Sequence, residues 1–117
     1  KCYNTESMFD TQTDYRAAMP QYQKDSFEKN KCLFEMIEQL AMEKHATPAQ
    51  ISLAWMMSKK PWIVPIPGTR CLCRLKENIG AADISFSQEE VAAIDKLLST
   101  MEMSEVFGGS RIVDKAQ

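Results

Sequence analysis

The chain has 117 residues, of which 44% are hydrophobic and 26% charged, globular proportions that argue against a disordered chain, a collagen-like repeat and a disulfide-dense toxin scaffold. Fourteen basic side chains against sixteen acidic ones give a formal charge of −2. No overall field therefore draws the chain to nucleic acid or to an anionic membrane, and any anion site must be local.

The four cysteines are Cys2, Cys32, Cys71 and Cys73. Their spacing is irregular, no CxxC pair occurs and no secretory signal precedes them, so the expectation is reduced thiols in a cytoplasmic protein without a zinc site. The apolar stretches fall far short of the roughly 18 to 20 residues that span a bilayer. The eight methionines are compatible with an adaptable binding surface, but several fall among leucines and isoleucines at helical spacing, where gap-filling in a core is the simpler role.

Residues 1–24 are polar and without period, and read as a long loop. A structureless run of that length points to a functional flap or to a connector within a larger fold. Residues 25–58 read as two helices. Leu33, Ile37, Leu40 and Ala41 carry the three-and-four spacing of the first, which runs from about Asp25 to Lys44, with Asp25 and Glu28 as its capping box. Thr47-Pro48-Ala49-Gln50 opens the second, placing a hydroxyl at the N-cap, proline at N1 and glutamine at N3; this helix runs to about Ser58.

Lys59-Lys60-Pro61 ends that helix. The apolar, β-branched run from Trp62 to Ile66 predicts a strand buried on both faces, as in a parallel sheet. Pro65 and Pro67 lack amide donors, so only the first part of the run can pair fully, and no second strand is evident for it to pair with. A third helix is expected over 70–79. A fourth is expected over 87–101, with Ser87 and Glu90 as a capping box, Phe86 stapled on Val91, and Val91, Ile94, Leu97, Leu98 and Met101 as its apolar stripe. Residues 102–117, with Gly108-Gly109-Ser110, read as a tail.

Chemistry concentrates in residues 66–78, IPGTRCLCRLKEN. On a helical wheel Arg70, Arg74, Glu77 and Asn78 share one sector, and Leu72, Leu75 and Ile79 lie opposite. Two cations near a helix N-terminus oppose the macrodipole by a few tenths of a kcal/mol each, a sign that a bound anion reverses. Gly68 admits close backbone approach, and Thr69 and nearby amides can cap the helix or donate to a phosphate. The plainer reading makes Arg70 and Arg74 solvated charges, with Arg74 paired to Glu77 or Asn78. Pattern alone does not decide between them.

Five stretches carry a resemblance: DYRAAMPQYQ at 14–23, TPAQISLAW at 47–55, IVPIPGTR at 63–70, RLKENIGAAD at 74–83, and the SFSQEEVAAIDKL that follows. In this order and with these gaps the chain resembles the C-terminal part of an aldo-keto reductase, roughly the last third of a (β/α)8 TIM barrel. A whole barrel typically takes about 250 residues, more than twice this length. The resemblance implies that 62–66 is the last barrel strand and that the following segment holds the adenosine 2′-phosphate of NADPH. Gly68, Thr69, Arg70 and Arg74 would surround the phosphate, Ile66 and Pro67 would line the approach, and Glu77 and Asn78 would lie beside the adenine. Two guanidiniums suit a 2′-phosphorylated cofactor better than NAD.

The family's catalytic tyrosine, lysine, aspartate and histidine lie on earlier strands and have no counterpart here. Tyr3, Tyr15 and Tyr22 fall in the wrong segment, and His45 falls at a helix end. Trp55 and Trp62 are simplest as core or interface aromatics. Cys71 and Cys73 replace polar residues often seen near the cofactor phosphate. Arg70 and the helix N-terminus would lower the pKa of a Cys71 thiol, with inert packing as the simpler role. The expected activity of the parent is NADPH-dependent reduction of a small carbonyl substrate, with no nucleic acid or membrane partner. This segment alone is expected to be inactive. The alternative is a non-catalytic helical fragment that self-associates, since the Trp62–Ile66 run needs neighbours. A helix-turn-helix DNA reader over 48–58 is disfavoured by that helix's apolar surface and the net acidity.

Overall fold

The structure, a computed structural model, describes residues 6–102. Its elements in chain order are two 3-10 turns, Tyr15–Ala18 and Pro20–Tyr22, helices α1 (Lys24–Lys29), α2 (Lys31–Glu43), α3 (Pro48–Lys59) and α4 (Leu72–Gly80), a third 3-10 turn, Ala81–Asp83, and helix α5 (Gln88–Thr100). The chain divides into two compact units, and the boundary falls inside α2, between Leu33 and Phe34.

The first unit contains the segment expected to be a loop. Asp14 opens the first 3-10 turn by accepting the Arg16 N–H at 3.0 Å, and its carboxylate also holds the Arg16 guanidinium. That guanidinium lies 4.9 Å from the centroid of Phe9, whose ring tilts against Tyr22 at 5.3 Å. Ser26, buried in α1, donates to Pro20 O at 2.7 Å and so ties the helix to the second 3-10 turn. Two local expectations are corrected here. Gln23, not Asp25, is the N-cap of α1, and it makes no side-chain cap bond. The single helix expected from Asp25 to Lys44 is two, because the chain leaves α1 at Asn30, whose N–H turns back to Ser26 O and Glu28 O.

In the second unit α2 ends in a left-handed residue, His45, at φ 53°. Its N–H donates to Met42 O at 3.3 Å and the Ala46 N–H to Ala41 O at 2.9 Å, the paired bonds of a Schellman cap. Glycine usually fills this position, because a Cβ makes left-handed backbone costly. The chain's one histidine thus serves to end a helix. The start of α3 is as expected: Thr47 Oγ1 accepts the Gln50 N–H and Gln50 Oε1 accepts the Thr47 N–H, a closed capping box. Ser87 and Glu90 close the same box on α5.

The core of this unit is small. Its buried apolar residues are Ala41, Ile51, Ala54, Ala81 and Ile94, and Ile51 is the largest side chain fully enclosed among the described residues. Alanines on α2, on α3 and after α4 let the helices approach closely around Ile51 and Ile94. Polar bridges frame this core. Lys44, just past α2, pairs with Glu90 at 2.6 Å, donates to Ser85 O and lies over the Phe86 ring at 5.1 Å. From α3, Trp55 Nε1 donates to Asp95 of α5 at 3.1 Å, and Lys59 pairs with the same carboxylate.

The Lys59 hydrogen bond first, and the Trp55 indole after it, hold the Asp95 carboxyl below its ordinary value. The folded chain therefore binds that proton less readily than the unfolded one. The bridge's contribution is present above the unfolded carboxylate range and is lost as pH falls through the lower folded value. Acid titration followed by Trp fluorescence should show the α3–α5 bridge opening below the ordinary aspartate range. In Asp95→Asn, which keeps an acceptor for the indole, that transition should disappear.

The strand expected at 62–66 does not form. No strand occurs among the described residues, Trp62 and Ile66 are 73% and 94% exposed, and the run opens in a turn closed by Ile63 N–H to Lys60 O. A ladder needs a second chain segment to accept and donate, and no strand among the described residues pairs with this run. The expectation over 102–117 falls, beyond Glu102, outside the described residues, as do Cys2 and Tyr3.

Candidate functional site

The segment from Ile66 to Asn78 leads from the exposed run into α4. Ile66, Pro67, Gly68, Thr69 and Arg70 are all exposed and precede the helix. A Cβ on Gly68 would meet nothing within 4 Å, so the backbone there is open to an approaching group. Helix α4 begins two residues later than expected, at Leu72, with Cys71 as N-cap and no side-chain cap bond. Arg70 is therefore not a helical residue, and the wheel that placed it beside Arg74 does not apply to it.

The reason lies in the backbone just before the helix. Thr69 Oγ1 accepts the Cys71 N–H at 3.1 Å, which turns the chain through Arg70 and delays the first helical bond to Leu75 N–H on Cys71 O. The amides of Leu72 and Cys73, in the first turn, have no acceptor within the helix. Arg70 makes no ion pair among the described residues and lies at this positive end. The apolar face expected opposite it does not pack: Leu72, Leu75 and Ile79 are exposed.

Arg74 and Glu77 pair along α4, with Arg74 Nη1 donating to Glu77 Oε2 at 2.6 Å. The Arg74 side chain is 50% exposed and that of Glu77 16%. Arg74 first, and the Thr47 hydroxyl after it, hold the Glu77 carboxyl below its ordinary value. The backbone carbonyl of Glu77 is also engaged, accepting from Gln50 Nε2 at 3.0 Å. A Cβ on Gly80 would stand 2.6 Å from that nitrogen, so glycine at the end of α4 gives the Gln50 amide its room. Both capping residues of α3 thus fasten Glu77, and Glu77 orients Arg74. Thr47 and Gln50 were legible only as a helix start. Their second task spans about thirty residues of sequence and has no local signal. Asn78 is half-buried on the same helix.

Cys71 and Cys73 are joined by a disulfide, with Cα atoms 5.4 Å apart. This corrects the expectation of reduced thiols at these two positions. Sequence spacing does not report sulfur proximity, whereas the turn from an extended N-cap into the first helical turn brings the two side chains together. Cys32 is a free, exposed thiol. No cluster of three or more metal-ligating side chains occurs among the described residues, and no described helix is long and apolar enough to cross a membrane.

The donor set at the start of α4 comprises one unengaged guanidinium, a second held on a carboxylate, a hydroxyl and the first-turn amides. Its chemistry fits a phosphate monoester. The sequence matches the Aldo/keto reductase family over residues 3–99, which takes in all of these residues. The chain belongs to the aldo/keto reductase family. Among curated relatives it is 37% identical over 90 residues to aldo-keto reductase str7 of Strobilurus tenacellus, a stretch covering 77% of this chain and 27% of that protein. It is 38% identical over 92 residues to probable aldo-keto reductase 1 of Glycine max, covering 79% and 26%. It is likewise 38% identical over 95 residues to aldo-keto reductase yakc of Schizosaccharomyces pombe, whose name carries NADP(+), covering 81% and 27%.

The chain spans about a quarter of the length of these aldo-keto reductases. No solved structure matches it. The family implies a (β/α)8 barrel, and the described residues are helical with connecting turns.

Proposed function

We propose that this chain supplies the adenosine 2′-phosphate pocket of an NADPH-dependent, cytoplasmic aldo-keto reductase that reduces aldehydes or ketones to alcohols. The observation that carries this reading is the pair of cations flanking the open N-terminus of α4, with Arg70 unengaged beside first-turn amides that lack helical acceptors. The name of the Schizosaccharomyces pombe relative supports the choice of NADP over NAD. Bound NADPH supplies the hydride for carbonyl reduction.

In this reading the chain's own residues bind and orient. Arg70, Arg74, Thr69 and the α4 amides hold the phosphate, Gly68 leaves room for its approach, Ile66 and Pro67 line the way in, and Glu77 and Asn78 face the adenine. None of these side chains moves a proton to substrate, so catalytic groups belong to other parts of the parent. The exposed Trp62–Ile66 run would become the last barrel strand once paired with neighbours.

A second reading, a helical chain that self-associates, draws on the exposure of that same run. One titration separates the two. A parent containing this segment should quench NADPH fluorescence on binding and oxidise it in the presence of a carbonyl panel. The 117-residue chain alone should bind adenosine 2′,5′-bisphosphate in preference to adenosine 5′-monophosphate. No preference for the bisphosphate, with a solution mass that rises with concentration, would favour self-association.

A further inference from the structure

We propose that Cys71 and Cys73 form a reversible redox switch on the entrance to α4, with the disulfide favouring phosphate binding and the dithiol opposing it. The inference rests on the phosphate reading above and adds to it a regulation that the family relationship does not supply.

Three observations meet at this point. The disulfide ties the N-cap of α4 to a residue of its first turn, and both cysteines are exposed, so a thiol in solution can reach the bond. The two cysteines are also bracketed by the proposed phosphate ligands: Arg70 immediately precedes Cys71 and Arg74 immediately follows Cys73. Finally, the Cys71 N–H is the group that Thr69 Oγ1 engages, so the disulfide and the Thr69 turn fix the same junction.

As a disulfide the pair is neutral, and the helix dipole and Arg70 act on an incoming anion in full, with Arg74 contributing from its pair with Glu77. Once reduced, a thiol at a helix N-terminus beside arginines ionises more readily than a free cysteine, whose pKa is about 8.5. The resulting thiolate stands at the first turn of α4, between Arg70 and Arg74 in sequence, and competes with an incoming phosphate for the same positive field. Reduction also frees the junction, so the donors must be ordered again on binding.

The exchange balances with a low-molecular-weight dithiol as co-reactant. Its thiolate attacks one cysteine sulfur, the Cys71–Cys73 bond breaks and a mixed disulfide forms. The reagent's second thiol then displaces the protein sulfur. Two electrons and two protons pass to the protein, leaving two thiols and an oxidised, cyclic reagent.

The test uses the 117-residue chain as Cys2→Ser/Cys32→Ser, so that only the pair responds. The chain is equilibrated across ratios of reduced to oxidised dithiothreitol, free thiols are counted by alkylation and intact mass, and binding is measured by calorimetry. Adenosine 2′,5′-bisphosphate is the probe and adenosine 5′-monophosphate its comparator. The oxidised form should bind the bisphosphate about two- to fivefold more tightly than the reduced form near neutral pH, the size of a charge effect at a helix terminus. That ratio should widen at alkaline pH, while the monophosphate should not distinguish the forms. Further substitution by Cys71→Ser/Cys73→Ser should abolish the redox response.

Failure to recover a Cys71–Cys73 disulfide at the most oxidising ratio would overturn the switch. So would equal bisphosphate affinity in both forms; with preference over the monophosphate intact, that result leaves the phosphate site standing. If neither form prefers the bisphosphate, the phosphate reading falls and the switch falls with it.

Discussion

Ile51→Ala should remove about 2–5 kcal/mol of folding stability, enough to abolish a cooperative unfolding transition in a unit with so small a core. Ile51 is 2% exposed, and its companions in the core are three alanines and Ile94. Stabilities of natural domains are typically about 5–15 kcal/mol, so a loss of this size is a large share of the total. Urea unfolding followed by far-UV circular dichroism reads it directly. Ile51→Val should cost about 0.5–1.5 kcal/mol, giving a graded pair. Ile66→Ala, at a residue 94% exposed, should stay within about 0.5 kcal/mol of the parent chain. Equal effects at Ile51 and Ile66 would mean that the helices do not close on the core described.

Arg70→Ala should weaken adenosine 2′,5′-bisphosphate by roughly 10- to 100-fold, the loss of one charge-assisted hydrogen-bonding group of about 1.5–3 kcal/mol. Affinity for adenosine 5′-monophosphate should be nearly unchanged. Arg70 has no competing carboxylate among the described residues, so its removal subtracts from ligand binding alone. Arg74→Ala should act in the same direction, and in an active parent should weaken NADPH more than NADH. Its loss also leaves the Glu77 carboxylate with the Thr47 hydroxyl but without the guanidinium beside it. Glu77→Gln should therefore tighten the bisphosphate, because it removes a negative charge and weakens the carboxylate's hold on Arg74. Equal weakening of both nucleotides by either arginine substitution would remove the phosphate assignment. Calorimetry on the four chains decides it.

What could be read from the sequence divides along the range of the interactions. Both capping boxes were legible because Thr47 to Gln50 and Ser87 to Glu90 are complete within four residues, and their chemistry depends on nothing further away. Arg74 with Glu77 was legible as an alternative for the same reason. The Trp62–Ile66 run is unpaired among the described residues because β-branched, apolar composition states what a strand is made of, while pairing depends on a segment elsewhere. The break at Asn30 was missed because hydrophobic spacing continues across it, and the interruption lies in a backbone turn that periodicity does not see. The start of α4 moved from Arg70 to Leu72 through a single hydroxyl, that of Thr69, competing for the amide that would have begun the helix. The Cys71–Cys73 bond lay beyond composition because cysteine spacing carries no information about the N-cap geometry that brings the sulfurs together.

The Gln50 side-chain amide serves two helices at once. One end of it completes the first turn of α3 and the other reaches the main chain of α4. Sliding α4 past α3 by one residue would carry the Glu77 carbonyl away from Gln50 Nε2 and break that bond, while the capping bond within α3 would stay closed. The aim of Arg74 is thus calibrated from a helix start far upstream, through a carbonyl whose position no side-chain substitution at residue 77 can remove.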